Sequence, residues 1–233
     1  YQRFIINYAK SAEELGMSHL LIDGNSILGA TPSNLFSDNT NESAADTNEA
    51  QWLDLIEEIR AVYTGQLVWA ASVQLDMDPL PDFITEFDAI YITIDSPLAS
   101  SDSPTFDQIA AGFTSVIDNF IYEVHRSTEM PLVLALAYPS ITGAAQGCAL
   151  IDANCVNDSV FLNAEVVGYP LDFEAQTLLY NAILPVINSR DWINGVAIRG
   201  YEPAVVLQDG SSSVAGKPAS DVIKYWFVGW ASQ

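Results

Sequence analysis

Residues 51–74, QWLDLIEEIRAVYTGQLVWAASVQ, change from a helical pattern to a strand pattern within a few positions. Apolar side chains recur at helical spacing from Trp52 to Val62, and the apolar run from Gln66 to Val73 predicts a buried strand. Only Thr64 and Gly65 separate the two patterns. A helix joined by so short a turn to a buried strand is typical of an α/β fold with a parallel sheet.

The same alternation extends in both directions along the chain. Loops after the predicted strands are long and loops before them are short, which is typical of an α/β fold whose functional face lies at the carboxyl ends of its strands. Asp172 is well placed to cap the helix that follows it. The patterns predict helices over 1–15, 51–63, 81–86, 106–125, 173–188 and 219–230, and strands over 18–22, 66–73, 88–94, 131–138 and 195–199.

Five predicted strands do not close an eight-stranded barrel. The chain is therefore either part of a (β/α)8 TIM barrel or an open, doubly wound sheet. No Gly-x-Gly-x-x-Gly turn of the kind that accompanies nucleotide-binding open sheets is present, which favours the barrel. We expect one partial barrel domain over residues 1–233. Because a helical pattern starts at Tyr1, we expect the missing units upstream in the same polypeptide or in a companion chain.

The charge balance limits the classes of partner. Thirty acidic and eight basic residues give a formal net charge of −22, which disfavours nucleic acid and anionic lipid and suits neutral ligands or divalent cations. No apolar run approaches the roughly 20 residues of a membrane-spanning helix. We expect no nucleic acid partner and no membrane span.

The two cysteines, Cys148 and Cys155, fit one disulfide better than a zinc site, which needs about four ligands. Two reduced, packed thiols are the alternative. The glycosylation triplets at Asn41 and Asn157 favour an extracellular location, as a disulfide also does. The sequence therefore predicts an extracellular or cell-surface protein.

Three stretches carry a resemblance to a known family. Residues 51–74, residues 131–140 (PLVLALAYPS), and the tail formed by 191–195, 216–219 and 225–227 resemble family 113 β-mannanases and related TIM-barrel glycosidases. Their order implies that this chain covers barrel strands four to eight. In that group, the seventh strand usually ends in a Glu-x-Gly-Tyr-Pro-Ser segment.

The resemblance implies two catalytic positions, and neither holds a glutamate here. Retaining glycosidases need one carboxyl group to protonate the leaving oxygen and a second to attack the anomeric carbon. The acid/base position falls on Asn25, or on Ser26, and the nucleophile position falls on Ala135. An amide cannot donate that proton and a methyl group cannot attack. The resemblance therefore implies a non-catalytic, carbohydrate-binding or structural barrel.

An active glycoside hydrolase is the alternative hypothesis, because other side chains at the strand ends could carry the chemistry. Displaced carboxylates such as Glu202 and Asp23 could support catalysis, although capping or an Arg199–Glu202 ion pair would also explain them. Aromatic rings at the strand ends could stack on sugars, and packing in the core is the alternative. Trp69 and Tyr91 are among these aromatic candidates. The predicted carbohydrate-binding residues are Asn25, Asp76, Asp95, Tyr138, Arg199, Tyr201 and Glu202.

The remaining candidate features are weaker. The acidic stretch 37–49 offers Asp38, Glu42 and Asp46 as oxygen ligands for Ca²⁺, but its spacing is not that of an EF-hand, and a solvated loop is the alternative. No other cofactor is expected. His19 lies in a predicted strand and is expected to pack in the core or against a helix. His125 is expected near a helix C-terminus, where the helix dipole favours a cation, so neither histidine supports a catalytic triad. A self-assembling scaffold subunit is the third functional hypothesis.

Overall fold

A computed structural model describes residues 1–23, 42–72, 80–101, 103–151, 154–157, 170–201 and 208–232. The chain divides into two compact units. The first, unit 1, contains residues 1–92 and 124–133, and the second, unit 2, contains residues 93–123 and 134–233. The expectation of a single domain stays a prediction.

Helices and strands alternate along the chain, as the sequence predicted. The helices are α1 (Gln2–Glu14), α2 (Glu42–Arg60), α3 (Phe106–Val116), α4 (Tyr122–Thr128), α5 (Phe173–Asn188) and α6 (Ala219–Ala231). The strands are β1 (His19–Asp23), β2 (Gln66–Ser72), β3 (Ala89–Ile94), β4 (Leu132–Leu136), β5 (Cys148–Ile151), β6 (Asn154–Asn157) and β7 (Gly195–Ile198). Short 3₁₀ helices span Asp82–Glu86 and Ala144–Gln146, and a π-helical turn, Ile117–Ile121, joins α3 to α4.

The main sheet is parallel and has the strand order β1-β2-β3-β4-β7, which follows the order of the strands in the sequence. The first pair runs in register from His19 opposite Gln66 to Asp23 opposite Ala70. A doubly wound sheet reverses its strand order at a switch point, and this order has no reversal. The topology is therefore that of a partial (β/α) barrel, and the prediction of a partial TIM barrel is confirmed.

Unit 1 is held together by an aromatic cluster on β2. The Trp69 ring lies 5.3 Å from Trp52, 5.3 Å from Phe83 and 5.2 Å from Phe87, measured between ring centroids. Trp69 is buried, as expected for a residue in the middle of a strand. The sequence left sugar stacking and core packing as alternatives for Trp69, and the structure shows core packing.

Unit 2 is organised around α5, which carries the largest buried face of the described helices. Leu179, Tyr180 and Ile183 are fully buried. The Asp172 side chain accepts a hydrogen bond from the backbone N–H of Ala175 at 2.8 Å, so the predicted N-cap is confirmed.

Helix α2 corrects the prediction for the acidic stretch. It starts at Glu42, nine residues before the predicted start at Gln51, because its first turns carry polar residues that an apolar period cannot detect. Glu42 and Asp46 therefore lie in a helix and not in a loop, and the weak Ca²⁺ site that they were expected to form stays a prediction. Asp38 lies outside the described residues, and within them no group of three or more His, Cys, Asp or Glu residues could hold a metal ion.

The predictions for the two histidines have different outcomes. His125 lies in the last turn of α4, as predicted. His19 is on β1, but its side chain is exposed and its Nδ1 is 2.8 Å from the Ser18 hydroxyl. The expectation that it packs in the core or against a helix is therefore wrong. β1 lies at one end of the sheet among the described residues, so His19 has a neighbouring strand on one side only.

A small antiparallel hairpin, β5–β6, interrupts the long connection between β4 and α5. Cys148 on β5 and Cys155 on β6 form a disulfide with a Cα–Cα distance of 5.4 Å, which confirms the predicted pairing. The hairpin itself was not predicted, because its two strands are short and carry no alternating pattern. A disulfide is compatible with secretion.

Removing this disulfide is expected to lower the free energy of unfolding by about 2–3 kcal/mol. A cross-link that closes a loop of this length removes about that much chain entropy from the unfolded state. Cys148→Ala/Cys155→Ala and the wild type are compared by urea unfolding, with a shift in midpoint at constant slope as the expected result. A midpoint unchanged within error would show that the cross-link does not stabilise the folded protein.

Among the described helices, none combines the length and the apolar character needed to cross a bilayer.

Candidate functional site

The carboxyl ends of β3, β4 and β7 lie next to one another in unit 2. The Ala137 N–H donates to the Ile94 carbonyl at 3.1 Å, and the Arg199 N–H donates to the Leu136 carbonyl at 2.9 Å. These backbone hydrogen bonds lie at the points where the three strands end. The side chains that follow the strands therefore share one edge of the sheet, where parallel α/β folds place their ligands.

Arg199 and Asp95 give this edge its charge. Arg199 is exposed and its Nη1 approaches the Thr93 hydroxyl at 3.5 Å, the limit of a hydrogen bond. Asp95 is half-buried one residue after β3. The sequence predicted both residues as ligand contacts, and the structure places them on the same edge.

Burial raises the pKa of the Asp95 carboxyl above its ordinary value, against the opposing effects of its own backbone N–H and of Arg199. A half-buried carboxyl group of this kind is only weakly solvated. It can accept hydrogen bonds from sugar hydroxyls when ionised, or donate one when protonated. Raised pKa values of this origin are typical of functional sites, although structural groups also show them.

The two tyrosines predicted near this edge have different environments. Tyr138 is fully buried and its hydroxyl donates to the Ser96 carbonyl at 3.2 Å, so core packing describes it better than contact with a sugar. Tyr201 is 70% exposed and follows β7 by three residues. Tyr201 is therefore the aromatic ring at this edge that a sugar could reach.

Ala135, the residue on which the resemblance predicts the nucleophile position to fall, lies on β4 and is 0% exposed. Its methyl group has no nucleophilic atom.

A buried polar cluster that the sequence did not predict lies after β4 and before α6. The Lys217 ammonium donates to the Ser140 hydroxyl at 2.9 Å and to the Ser211 carbonyl at 3.0 Å, and it pairs with Asp209 at 3.2 Å. The Ser140 hydroxyl in turn donates to the Asp209 carbonyl at 3.0 Å. We call Ser140, Asp209, Ser211 and Lys217 the lysine latch.

The electrostatics of the latch reflect its burial. Desolvation acts to raise the pKa of Asp209, but hydrogen bonds from Ser211 and the charge of Lys217 outweigh it, so the pKa lies below its ordinary value. Burial lowers the pKa of Lys217, and Asp209 opposes this effect. Asp209 and Lys217 therefore form an ion pair in which both charges have lost solvent.

The latch is a structural element and not a serine–lysine catalytic pair. Ser140 is fully buried, so its hydroxyl could not reach a substrate. The neighbouring hydrogen bonds also serve the backbone, since Gln176 Nε2 donates to the Tyr138 carbonyl at 2.9 Å and the Asp172 N–H donates to the Ser140 carbonyl at 2.8 Å. The latch fixes the segment 208–217 to the end of β4.

Several predicted site residues lie outside the described residues. They are Asn25, Asp76 and Glu202. Asp23 is the last residue of β1, opposite Ala70, and its side chain is likewise outside the described set. Their proposed roles stay predictions.

Comparison with solved structures places the fold among glycoside hydrolases. The GH113 β-mannanase of Alicyclobacillus acidocaldarius, solved in complex with ManMIm, matches 98% of this chain at 18% identity with a TM-score of 0.63. Another GH113 β-1,4-mannanase matches 98% of this chain at 19% identity with a TM-score of 0.65. The β-D-glucuronidase of Dictyoglomus thermophilum matches 80% at 14% identity with a TM-score of 0.50.

These likenesses show a partial barrel resembling that of GH113 enzymes. The chain spans 61% of the length of each mannanase and 29% of that glucuronidase. No protein-family model matches the sequence. No curated protein sequence matches it either.

Proposed function

We propose that this chain is the major part of a glycoside-hydrolase-like barrel that binds carbohydrate and does not cleave it by double displacement. The observation that carries the proposal is Ala135, a fully buried methyl group where the resemblance to family 113 places the nucleophile. Without an attacking carboxylate, no glycosyl-enzyme intermediate can form at this position.

The edge formed by Asp95, Arg199 and Tyr201 supports a binding role. Sugar-binding sites combine planar groups that pack against pyranose C–H faces with charged groups that hydrogen-bond to hydroxyls. Tyr201 offers an exposed ring, Arg199 offers guanidinium donors, and Asp95 offers a poorly solvated acceptor. The formal net charge of −22 favours neutral over anionic glycans.

The direct test is native mass spectrometry of the protein incubated with hexaoses of β-mannan, β-glucan and chitin. We expect complexes whose added mass equals that of an intact oligosaccharide, with no shorter sugars after prolonged incubation. Shorter sugars would instead establish a hydrolase, and would direct attention to Glu202 and Asp23. If no sugar binds and multimers of the chain predominate, the scaffold hypothesis replaces this proposal.

Arg199→Ala is expected to weaken binding of the preferred oligosaccharide by about 10- to 100-fold, because a hydrogen bond from a charged group contributes about 1.5–3 kcal/mol. The matched control is Arg190→Ala. Arg190 precedes β7, whereas Arg199 follows it, and it pairs with Asp118 at 2.9 Å. Isothermal titration calorimetry on both variants checks the difference, and equal affinities would exclude Arg199 from the site.

Asp95→Asn separates binding from folding. A carboxyl group whose pKa is raised in the folded state adds stability at low pH and loses that contribution as the pH rises. At pH 7 the variant is therefore expected to be at least as stable as the wild type while it binds sugar more weakly. A variant that loses stability at pH 7 would show that Asp95 has a structural role.

A further inference from the structure

The backbone on both sides of Asp95 is tied to the segment that follows β4. The Ala137 N–H donates to the Ile94 carbonyl at 3.1 Å, and the Tyr138 hydroxyl donates to the Ser96 carbonyl at 3.2 Å. The two acceptors are the residues immediately before and after Asp95, and the two donors are neighbours in the sequence. The position of the Asp95 backbone therefore depends on two successive residues of this segment.

The Ser96 carbonyl needs a donor because of its surroundings. Ser96 is 5% exposed, and a buried backbone carbonyl is almost always paired in native structures. Ser96 also precedes Pro97, and a residue before proline is restricted to an extended backbone. The Tyr138 hydroxyl satisfies this carbonyl from the end of the neighbouring strand, so it fixes the point at which the chain leaves Asp95.

Tyr138 is itself held in place. Its side chain is fully buried, and its carbonyl accepts a hydrogen bond from Gln176 Nε2 at 2.9 Å. Gln176 is a buried residue of α5, and the same Nε2 donates to the Ser212 carbonyl at 3.4 Å. A closely packed ring has little freedom to change rotamer, so its hydroxyl stays directed at Ser96. The contacts thus run from α5 through Tyr138 to the residue after Asp95.

Asp95 is the residue whose position these contacts determine. Its carboxyl group is half-buried and lies on the same edge of the sheet as Arg199. Only two rotatable bonds separate an aspartate carboxyl from its backbone, so a fixed backbone leaves the carboxyl few positions. A group that contacts a ligand must be held within about 0.5 Å of its productive position by neighbours that support it.

We propose that Tyr138 is a positioning residue that holds the Asp95 carboxyl at the sugar-binding edge through the hydrogen bond to the Ser96 carbonyl. The inference rests on the proposed function. If Tyr138 only filled the core, its ring would matter and its hydroxyl would not. Tyr138→Phe separates the two roles, because it keeps the ring and removes the donor.

The matched control is Tyr180→Phe. Tyr180 is also 0% exposed, and its hydroxyl has no hydrogen-bond partner among the described residues. The two variants therefore make the same chemical change in buried tyrosines, and only one of them removes the hydrogen bond to Ser96.

The first test is isothermal titration calorimetry with the oligosaccharide that the wild type binds most tightly. We expect Tyr138→Phe to weaken binding about 5- to 10-fold, the effect of one lost hydrogen bond, and Tyr180→Phe to change it less than about twofold. In an Asp95→Ala background, Tyr138→Phe should cost less than about twofold, because the carboxyl that it positions is absent. Replacing Tyr138 by p-aminophenylalanine keeps a donor at the same place and should restore the affinity.

The second test needs no sugar. Burial raises the pKa of the Asp95 carboxyl, and the charge of Arg199, which is retained in every variant, opposes this effect. When Tyr138→Phe releases the backbone after Asp95, the carboxyl gains solvent and its pKa should fall toward the ordinary value of 3.8. A ¹³C NMR titration of the aspartate carboxyl carbons measures this change. Tyr180→Phe should leave the pKa of Asp95 at its wild-type value.

The two tests distinguish the possible failures. An unchanged pKa of Asp95 in Tyr138→Phe would overturn the positioning role, and so would equal losses of affinity in the wild-type and Asp95→Ala backgrounds. Equal effects of Tyr138→Phe and Tyr180→Phe would overturn it as well, because they would indicate a general loosening of the core. A wild type that binds no sugar would refute the proposed function, and the titration would still decide whether Tyr138 positions Asp95.

Discussion

Trp69→Ala is expected to lower the free energy of unfolding by about 3–5 kcal/mol, the usual cost of deleting a large buried aromatic side chain. Trp69 is 2% exposed and contacts three other aromatic rings, so its removal leaves a cavity whose walls have lost their partners. A domain of ordinary stability has only about 5–15 kcal/mol available. Urea unfolding followed by circular dichroism measures the effect.

Two further variants make the Trp69 result specific. Trp69→Phe keeps a ring in the cluster and is expected to lose less than half as much. Tyr225→Ala removes an aromatic ring that is 75% exposed and is expected to change stability by no more than about 0.5 kcal/mol. A loss below 1 kcal/mol for Trp69→Ala would mean that the aromatic cluster does not form the core of unit 1.

Lys217→Met is expected to cost about 3 kcal/mol. The Lys217 and Asp209 side chains are 5% and 16% exposed, and breaking a buried ion pair by removing one partner leaves an uncompensated charge. For a protein of this size, such a loss corresponds to a decrease in Tm of about 6–12 °C. Differential scanning calorimetry at pH 7 measures it.

The double variant Lys217→Met/Asp209→Asn tests whether the cost comes from the stranded charge. Asparagine keeps an oxygen that can accept the hydrogen bond from the Ser211 N–H, now 2.8 Å from Asp209 Oδ1. We expect the double variant to be more stable than Lys217→Met alone, with a coupling of at least about 1 kcal/mol. Additive effects would contradict the existence of the latch in solution.

The latch also has a pH dependence of known sign. Because the pKa of Asp209 is lowered in the folded state, its contribution to stability is present above its ordinary value of 3.8 and is lost as the pH falls through the folded value. The wild type should therefore lose more stability than the double variant when the pH is lowered below about 4. Equal acid sensitivity would assign the acid response to other carboxyl groups.

Local patterns in the sequence predicted the sheet and most of the helices. The apolar runs at 66–73 and 131–138 became β2 and β4, and Asp172 capped α5 at the predicted residue. These features depend on neighbours within a few positions, which a pattern can detect. The polar first turns of α2 have no apolar period, and so its true start was missed.

Long-range features could not be predicted in the same way. Ser140 and Lys217 are 77 residues apart in the sequence, and both lie in segments that resemble the mannanases. No local pattern in either segment indicates that the two side chains form a hydrogen bond. The placement of Asp95 and Arg199 on one edge followed from strand topology, but the burial that raises the pKa of Asp95 needed three-dimensional packing. Asn25, Asp76 and Glu202 stay predictions.

The sequential strand order bears on how the chain folds. Each strand of the main sheet pairs with the next one along the chain, and His19 meets Gln66 after a separation of 47 residues (66 minus 19). Each of these pairings nevertheless closes a long loop, because a helix and its connections lie between the two strands. Parallel pairings of this kind form slowly, so an apolar strand such as β4 stays exposed to aggregation until the helix and strand that cover it have left the ribosome.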